Sequence, residues 1–538
     1  MIPQLRTKHF ILLLFVLIVG CNSTESNYKK PNFLFIVADD LGYSDLSING
    51  SQYYETPNID NIAKEGVNFT NGYATCAVCS PSRASLLTGK YTTIHGITNF
   101  IGAPTGKNWR KKNRHTQLLP PKYTSYLKHN YITLPEALKE KDYKTFFAGK
   151  WHLGSKSDNS LPTDHGFDIN KGGYHRGGPY AGGYFSPFNL PYLPDKEEEK
   201  GMGLPMKLAK ETSEFIKLNK NSSFLAYLSF YAVHSPIQTT KEKWTKYRDK
   251  ADSMGIHEQG FEMERILPIR KYQDNPVYAG LIEQMDDAVG LVIHTLEELN
   301  IKDNTVIIFT SDNGGVASGD NYSTNNLSVR GGKGYQWEGG IKVPYFISIP
   351  WSEQKGIQIN TPVNGNDFYP TILELAGCEL RSEVDGISLL PLLSGKEVNS
   401  RPLYWHYPHY GNQGGEPSSI IREGNWKLIH YWEDERHELY NLKNNSRDEL
   451  YNLKNDPKEQ NNLANEYFAK VDSLKNQLMA WLEKTDAKYP KADPLFSLDS
   501  FKMKLKFYEE TLMPRLEKRR KQKLRKNWQP NNDWWGSD

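Results

Sequence analysis

The sequence of 538 residues has little cysteine and no strong excess of either charge. Four cysteines are too few for a disulfide scaffold in a chain of this length. The 66 Lys and Arg nearly balance the 63 Asp and Glu, so the formal charge of +3 does not predict nucleic acid as a partner. A mean hydropathy of −0.66 excludes a protein with many membrane spans. The 38% hydrophobic and 24% charged residues are typical of a folded globular protein, and the length predicts about two to four domains.

The N-terminus carries one long apolar run, residues 10–19, preceded by Arg6 and Lys8. Ten residues are too few to cross a bilayer, so the run predicts a signal peptide over 1–20. It ends in Ile18-Val19-Gly20-Cys21, which resembles a bacterial lipobox. That resemblance implies lipidation of Cys21, including palmitate, with 21–30 as a tether, and export to a bacterial membrane facing the periplasm or the cell surface. An ordinary cleaved signal followed by a chance cysteine is the alternative.

Short apolar runs alternate with amphipathic stretches through the first three quarters of the chain. Continuous apolar runs, which are typical of strands buried on both faces, occur at 33–38, 145–148, 224–230, 305–310 and 343–349. Helices are predicted at 133–141, 208–218, 276–300 and 368–376, and the third of these has the clearest 3.6-residue period. The alternation predicts an α/β domain with a largely parallel sheet, which we assign to 31–395.

The character of the sequence changes near residue 396. Short aromatic strands are predicted at 402–406 and 426–432, and a helix at 466–483, so 396–490 is predicted to form a smaller α+β domain. The extension 491–538 contains a basic stretch at 501–526, with eleven Lys and Arg against three Glu. We expect a solvated surface helix there, with a patch that attracts a polyanion as the alternative.

Polar side chains follow four of the predicted strands. Asp39 and Asp40 follow the first strand, and Asp312 and Asn313 follow the fourth. Lys150, His152 and His234 follow the other two. Ligands bind beyond the carboxyl ends of parallel strands, so these groups predict a divalent metal beside an anion site. Carboxylate and amide oxygens suit Ca²⁺ or Mg²⁺ rather than zinc.

Adjacent aspartates and single histidines are common without any such role. Asp286-Asp287, inside the predicted helix 276–300, is expected to be a solvated pair of this ordinary kind. Only the recurrence of polar residues at the ends of several strands distinguishes the candidate site residues from such ordinary aspartates and histidines.

The segment Cys79-Ser80-Pro81-Ser82-Arg83, followed by Leu87-Thr88-Gly89-Lys90, resembles the signature of the formylglycine-dependent (type I) sulfatase family. The family usually has Arg where this chain has Lys90. Cys76 and Cys79 also form a Cys-x-x-Cys pair, but a redox pair would leave the rest of the signature unexplained. Further segments that resemble the family are 32–43, 149–154, 311–315, 330–344 and 449–464.

The resemblance implies an alkaline-phosphatase-like fold, with a large mixed sheet between helices and a small C-terminal domain. It implies a sulfuric ester hydrolase in which a maturase converts Cys79 to formylglycine during export. One Ca²⁺ would be held by Asp39, Asp40, residue 79, Asp312 and Asn313. The remaining implied catalytic residues are Arg83, Lys150, His152, His234 and Lys333, with His152 serving the release of sulfate and His234 or Lys333 protonating the leaving alcohol.

Residues that could bind the rest of the substrate are predicted more loosely. His175 and Arg176 lie in a glycine-rich loop, and His406 and His409 lie in an aromatic stretch; such loops suit sugar rings. Together with basic residues in 101–130, they favour a sulfated polysaccharide or oligosaccharide as substrate. Two alternatives stay open: a phosphate or phosphonate monoester hydrolase of the same superfamily, and a non-catalytic glycan-binding lipoprotein.

Overall fold

The computed structural model describes residues 30–111, 114–256, 258–380, 383–434, 436 and 447–528. The predicted signal peptide and Cys21 lie outside these residues. No helix in the described part of the chain has both the length and the apolar composition needed to cross a membrane.

The strands are numbered in chain order. They are β1 Asn32–Ala38, β2 Val67–Phe69, β3 Gly72–Tyr73, β4 Leu118–Leu119, β5 Lys144–Gly149, β6 Ile169–Lys171, β7 Phe224–Ser229, β8 Phe261–Glu264, β9 Leu267–Arg270, β10 Thr305–Ser311, β11 Tyr345–Ser348, β12 Ile357–Ile359, β13 Val363–Asn364, β14 Leu403–Tyr407, β15 Ser418–Glu423, β16 Trp426–Tyr431, β17 Asp448–Asn452 and β18 Lys491–Ala492.

The α-helices are numbered in the same way. They are α1 Pro57–Lys64, α2 Cys79–Thr88, α3 Thr92–His95, α4 Leu134–Lys139, α5 Leu204–Leu218, α6 Lys241–Ser253, α7 Pro276–Glu298, α8 Glu338–Ile341, α9 Phe368–Leu375, α10 Leu390–Leu393, α11 Phe468–Lys484, α12 Leu498–Phe507 and α13 Met513–Lys523. A π-helical turn, Tyr508–Leu512, joins the last two helices.

A mixed sheet of eight strands forms the centre of the large domain, in the order β12-β2-β11-β10-β1-β7-β5-β6. Every residue of β1 is buried, because alternate side chains enter cores on opposite faces of the sheet. Leu34 and Ile36 pack with α1, α5, α6 and α7 on one face, whereas Phe33 and Phe35 pack with α2, α4 and α9 on the other. Helices cover both faces, which explains why the strands are continuous apolar runs in the sequence.

The register of the central strands brings their carboxyl ends to one edge. Strands β10, β1, β7 and β5 are parallel neighbours. Ala38 pairs with Ser311, and Gly149 pairs with Ser229. The loops that follow these four strands therefore meet at the same edge of the sheet, as the strand-end pattern predicts.

The expectation that Asp286 is solvated is wrong. Its side chain is buried and accepts hydrogen bonds from Asn58 N at 3.2 Å, Asn58 Nδ2 at 2.8 Å and Ile59 N at 2.8 Å. These donors lie at the start of α1, where backbone N–H groups have no helical partner. Asp286 therefore joins the long helix α7 to α1, a contact between residues more than 200 positions apart.

A second sheet, of antiparallel strands in the order β14-β15-β16-β17, follows the large domain. One face packs on α11 through Leu428, Leu450 and Leu478. The other face packs against residues of the large domain, including Tyr73 and Trp337. The small sheet is thus held between its own helix and the large domain.

The C-terminal extension contacts the large domain at several points. Strand β18 pairs with β4, and the indole of Trp244 donates to Lys523 O at 3.1 Å. Helix α13 is exposed along much of its length, as expected, but Leu516 and Arg520 are buried and Arg520 is paired with Asp274. The extension therefore forms part of the molecular surface around the large domain rather than a free helix.

Candidate active site

Helix α2 places Cys79 at its first position, with the preceding Val78 extended. Pro81 is tolerated in this first turn because the N–H groups there have no helical partner. Ser82 Oγ accepts from Cys76 N at 3.0 Å and donates to Cys76 O at 3.1 Å, which fixes the loop before the helix. All ten residues of the helix are buried, and Cys76 and Cys79 are free thiols rather than a disulfide.

Three carboxylates meet beside this helix. Asp39, Asp40 and Asp312 each offer an oxygen within 4.8 Å of the others, and all three are buried. Asn313 Nδ2 donates to Asp40 Oδ1 at 2.9 Å, while Asn313 Oδ1 is buried without a hydrogen-bond partner among the described residues. An unpartnered buried carbonyl oxygen beside three carboxylates fits a hard divalent cation as the missing partner.

Each carboxylate of this cluster also faces a cationic side chain. Lys150 Nζ lies 2.8 and 2.7 Å from the two oxygens of Asp39, and Lys333 Nζ lies 2.7 Å from Asp40 Oδ2. The guanidinium of Arg83 faces Asp312, with Nε 2.7 Å from Oδ2. The pairing leaves three negative and three positive side chains in one buried site, where unpaired charge would be costly.

The guanidinium of Arg83 joins three of the strand ends. Its Nε donates to Asp312 Oδ2 at 2.7 Å, and its Nη1 donates to Lys150 O at 2.9 Å and Ser229 Oγ at 2.6 Å. The planar fork of Arg suits such simultaneous contacts. Arg83 therefore fixes the relative positions of β10, β5 and β7 where they meet α2.

Burial and the neighbouring charges shift the pKa values of the cluster in different directions. Burial raises the pKa of Asp39, against the opposing effect of Lys150. Burial alone would also raise the pKa of Asp40, but Lys333 and His234 hold it below its usual range. Burial would lower the pKa of Lys333, but Asp40 raises it well above its usual range, so Lys333 keeps its positive charge.

The hydrogen bonds of His152 define which ring nitrogen faces Cys79. Nε2 lies 3.0 Å from Ile101 O, which can only accept, so Nε2 carries the proton in the neutral ring. Nδ1 is then an acceptor, and it lies 3.4 Å from Cys79 Sγ. Burial, together with Lys150, lowers the pKa of His152, so the ring is neutral and its basic nitrogen points at residue 79.

In His234 the roles of the two ring nitrogens are reversed. Its Nδ1 lies 2.6 Å from Ser235 O, and its Nε2 lies 3.7 Å from Asp40 Oδ2. Burial lowers its pKa to about 3, against the effect of Asp40. In the neutral ring Nδ1 carries the proton, so Nε2 is the position that gains and loses a proton on the side of the acidic cluster.

A pocket of about 200 Å³ opens onto these groups. Four of the residues that line it are predicted from the sequence as catalytic: Cys79, His152, His234 and Lys333. The other lining residues are not predicted as site residues: Phe100, Ile101, Gly177, Tyr180, Ser235, Asp320, Asn412 and Gln413. Tyr180 is half-exposed and its ring lies 6.1 Å from that of His234. Glycine-rich stretches around 177–183 and 411–415 are the sequence signal that could have indicated these loops.

The structure separates the four predicted substrate-binding residues into two pairs. His175 and Arg176 are exposed and precede Gly177 in the pocket wall. His406 is buried, with Nδ1 2.7 Å from Ser419 Oγ and Nε2 2.9 Å from Lys488 O. His409 is also buried and contacts Thr98 Oγ1 at 2.9 Å. Neither of these last two lines the pocket, and both side chains are packed within the fold.

Comparison with known proteins places this arrangement in a family. The sulfatase family model matches residues 31–378, and the model for the C-terminal part of N-sulphoglucosamine sulphohydrolase matches 332–488. A curated sulfatase from Formosa agariphila is 30% identical over 545 residues, covering 89% of this chain and 93% of that protein. The steryl-sulfatase of Rattus norvegicus is 29% identical over 464 residues, covering 70% of this chain and 73% of that protein.

Solved structures agree with these matches. The structure of i-CgsB in complex with k-i-k-neocarrahexaose superposes with a TM-score of 0.66 at 26% identity, covering 95% of this chain and all of that chain. The phosphonate monoester hydrolase of Agrobacterium radiobacter shares the fold at 18% identity, with a TM-score of 0.58 and coverage of 85% and 96%. The predicted fold, a large mixed sheet between helices with a smaller C-terminal sheet domain, is confirmed.

The chain belongs to the sulfatase family. It is therefore a sulfuric ester hydrolase, and the relatives on which this rests extend over most of its length.

Proposed function

We propose that this sulfatase removes sulfate from a sulfated polysaccharide or oligosaccharide, using formylglycine made from Cys79 and one Ca²⁺. The observation that carries the proposal is the position of Cys79. It starts a buried helix, lines the pocket, and faces the acceptor nitrogen of His152 beside the acidic cluster.

The residues that would hold the ion are Asp39, Asp40, Asp312 and Asn313, together with residue 79. Three carboxylates and the unpartnered Oδ1 of Asn313 are oxygen ligands of the kind that Ca²⁺ prefers. When bound, the ion supplies positive charge that offsets the negative oxygens of a sulfate ester.

Three side chains, those of Lys333, Lys150 and His234, are proposed to bind and orient the sulfate group. Lys333 lines the pocket and stays charged, whereas Lys150 is buried and contacts Asp39. His234 Nε2 faces the same region. Fixed charges in a buried site interact strongly with a developing negative charge, because no solvent has to reorganise around them.

The two histidines are proposed to move protons at different atoms. Nδ1 of His152 accepts a proton from residue 79, because Nε2 is already committed as a donor to Ile101 O. Nε2 of His234 donates a proton to the leaving alcohol, after the negative charge of the bound sulfate favours its protonated form. Arg83 holds the strand ends and so positions both the metal ligands and residue 79.

A glycan is favoured as the rest of the substrate by the exposed pair His175 and Arg176 next to the pocket wall. The solved relative in complex with neocarrahexaose, which is 26% identical, also supports an oligosaccharide. No observation favours the phosphate or phosphonate alternative, since that neighbour shares the fold alone. The intact set of charged groups disfavours a non-catalytic glycan-binding lipoprotein.

We also propose that the protein is exported and anchored through lipid on Cys21, with a formylglycine-generating maturase as its partner during export. Incorporation of labelled palmitate tests the anchor: it is expected in the full chain and absent from Cys21→Ala. A Cys21→Ala protein that keeps the label would refute the anchor.

Sulfate release by protein co-produced with a maturase tests the central proposal. We expect release from one or more members of a panel of sulfated hexasaccharides and from p-nitrophenyl sulfate, and little turnover of p-nitrophenyl phosphate. Mass spectrometry of the peptide containing residue 79 should show the aldehyde, and Cys79→Ala is the control without a nucleophile. Full activity with an unmodified thiol, or faster turnover of the phosphate, would overturn the proposal.

A further inference from the structure

The wall of the active-site pocket contains a carboxylate that the proposed mechanism does not use. Asp320 lines this pocket together with Lys333, and it is exposed. A negative charge beside a site that must bind a sulfate ester weakens the binding of every anion there. This cost is offset if the carboxylate contacts another part of the substrate.

Asp320 is held in place by the neighbouring loop at 411–415. Gln413 Nε2 donates to Asp320 Oδ2 at 2.6 Å, and a carboxylate can only accept, so this contact fixes the orientation of the amide. The two loops also touch through their backbones, because a Cβ on Gly319 would lie 2.8 Å from Asn412 O. Asp320 itself has a left-handed backbone, with a φ of 41°. Such a backbone is uncommon for residues other than glycine, and it recurs where a side chain must be aimed at a ligand.

Gln413 also connects Asp320 to the segment that carries Lys333. Its side chain is buried against Gly334, where a Cβ would lie 2.8 Å from Gln413 Oε1 and 3.2 Å from Gln413 Cβ. Gly334 N in turn donates to Ala77 O at 2.8 Å, in the loop before α2. Packed contacts therefore set the position of Asp320 relative to the reacting groups.

The charge of Asp320 acts on two other residues of the same pocket. Burial would lower the pKa of Lys333, but Asp40 raises it, and Asp320 adds to that rise. Burial raises the pKa of Tyr180, and Asp320 adds to this rise as well. Tyr180 is half-exposed, with its ring 6.1 Å from that of His234. An aromatic ring suits the apolar face of a sugar, and a carboxylate is a strong acceptor for sugar hydroxyl groups.

We propose that Asp320 determines which sugars the enzyme accepts, by accepting hydrogen bonds from free hydroxyl groups of the sugar that carries the scissile sulfate. Tyr180 contacts the ring of that sugar, and Gln413 is the positioning residue that orients the carboxylate. Because like charges repel, the same carboxylate disfavours a sugar that bears a second sulfate. The inference rests on the proposed function and adds to it a substrate class, sugar units with a single sulfate.

The test uses Asp320→Asn, because Asn has the size of Asp and tolerates a left-handed backbone. Matured wild type and variant are compared on p-nitrophenyl sulfate, which has no sugar hydroxyl, and on the sulfated hexasaccharide that the wild type desulfates fastest. Hydrogen bonds to charged groups correspond to about a 10- to 100-fold change in binding. Since Asn keeps one acceptor, we expect the ratio of kcat/KM for the hexasaccharide to that for p-nitrophenyl sulfate to fall about 10-fold, mainly through KM.

A second measurement tests the selection against a further charge. It compares two hexasaccharides of the same backbone, one with a single sulfate on each sugar and one with two. The wild type should prefer the first, and Asp320→Asn should narrow this preference because the repelling charge is removed. A loss of folded protein would lower both rates together and leave the preference as it is. A preference that Asp320→Asn does not change would overturn this selection.

The matched control is Asp303→Asn, which removes an exposed carboxylate from the turn before β10, outside the pocket. It should leave both ratios unchanged. If Asp320→Asn has a wild-type Tm and the wild-type ratio of hexasaccharide to p-nitrophenyl sulfate, the role of Asp320 is overturned while the sulfatase activity stands. An equal loss on these two substrates would also overturn it, because Asp320 would then act through Lys333 and not on the sugar. If the wild type releases sulfate from no substrate, the proposed function and this inference fail together.

Discussion

Buried histidines outside the acidic cluster, His95, His406 and His409 among them, predict that acid destabilises the protein in a way that can be assigned to single residues. Burial lowers the pKa of His95 to about 3, that of His406 to about 4 and that of His409 to about 3. An exposed histidine in the unfolded chain has a pKa of about 6.5. Below that pH the unfolded chain gains protons that the folded chain does not bind, so the free energy of unfolding falls as pH falls.

The size of the effect follows from the pH interval. A shift of one pH unit corresponds to about 1.36 kcal/mol per proton, and pH 5 lies about 1.5 units below the unfolded pKa. Each of the three histidines therefore lowers the free energy of unfolding by about 2 kcal/mol between pH 7 and pH 5, or about 6 kcal/mol together. Buried carboxyl groups titrate over the same range in the opposite sense; burial raises the pKa of Asp45 to about 6, for example. A single-site variant isolates one histidine from these other groups.

The variant to test is His406→Gln, and its free energy of unfolding is measured by urea unfolding at pH 7 and pH 5. At pH 7 the variant should be less stable by about 1–3 kcal/mol, because its contacts to Ser419 and Lys488 are altered. Between pH 7 and pH 5 it should lose about 2 kcal/mol less than the wild type. Its activity at pH 7 should match the wild type, since His406 lies away from the pocket.

His294→Gln is the control, because His294 is 65% exposed on α7 and does not join the core. It should lose the same free energy between the two pH values as the wild type. If His406→Gln also loses as much as the wild type, burial does not hold His406 neutral and the reasoning fails. A large rise in KM at pH 7 would instead return His406 to the substrate site.

Three further predictions concern the acidic cluster and its neighbours. Asp312→Ala should abolish turnover and remove the rise in Tm that Ca²⁺ gives the wild type; a retained rise, measured by calorimetry with and without chelator, would refute the metal ligand. His152→Gln keeps a donor for Ile101 O but has no base, so kcat should fall about 10²–10⁴-fold in steady-state kinetics. Because burial lowers the pKa of His152, the acidic limb of the wild-type pH–rate profile assigned to this group should lie below pH 6.5, and a limb above pH 7 would contradict the assignment.

Much of the large domain was predictable from local sequence. The continuous apolar runs at 33–38 and 305–310 correspond to β1 and β10, with ends within one residue. Strands buried on both faces need uninterrupted apolar side chains, so the pattern is visible without knowledge of the neighbours. The polar residues that follow were predictable as a site for the same reason, because parallel strands end at a common edge.

The signature from Cys79 to Lys90 was also readable directly, since it is one short continuous segment that forms α2 and its end. By contrast, the partners of individual aspartates could not be predicted from their positions in the sequence. Asp286 and Asp40 are each one member of an adjacent pair of aspartates, yet Asp286 accepts from the start of α1 and Asp40 faces Lys333. Which partner an aspartate meets depends on contacts hundreds of residues apart.

The sequence by itself therefore determined the family, the strands and the set of charged groups at their ends, because each is encoded in a local pattern. The tertiary structure alone decided which ring nitrogen of His152 faces residue 79, that His406 and His409 are packed inside, and that α12 lines a second pocket together with Trp109 and Tyr410. These features depend on side chains that approach from distant parts of the chain. Local periodicity and composition carry no information about such contacts.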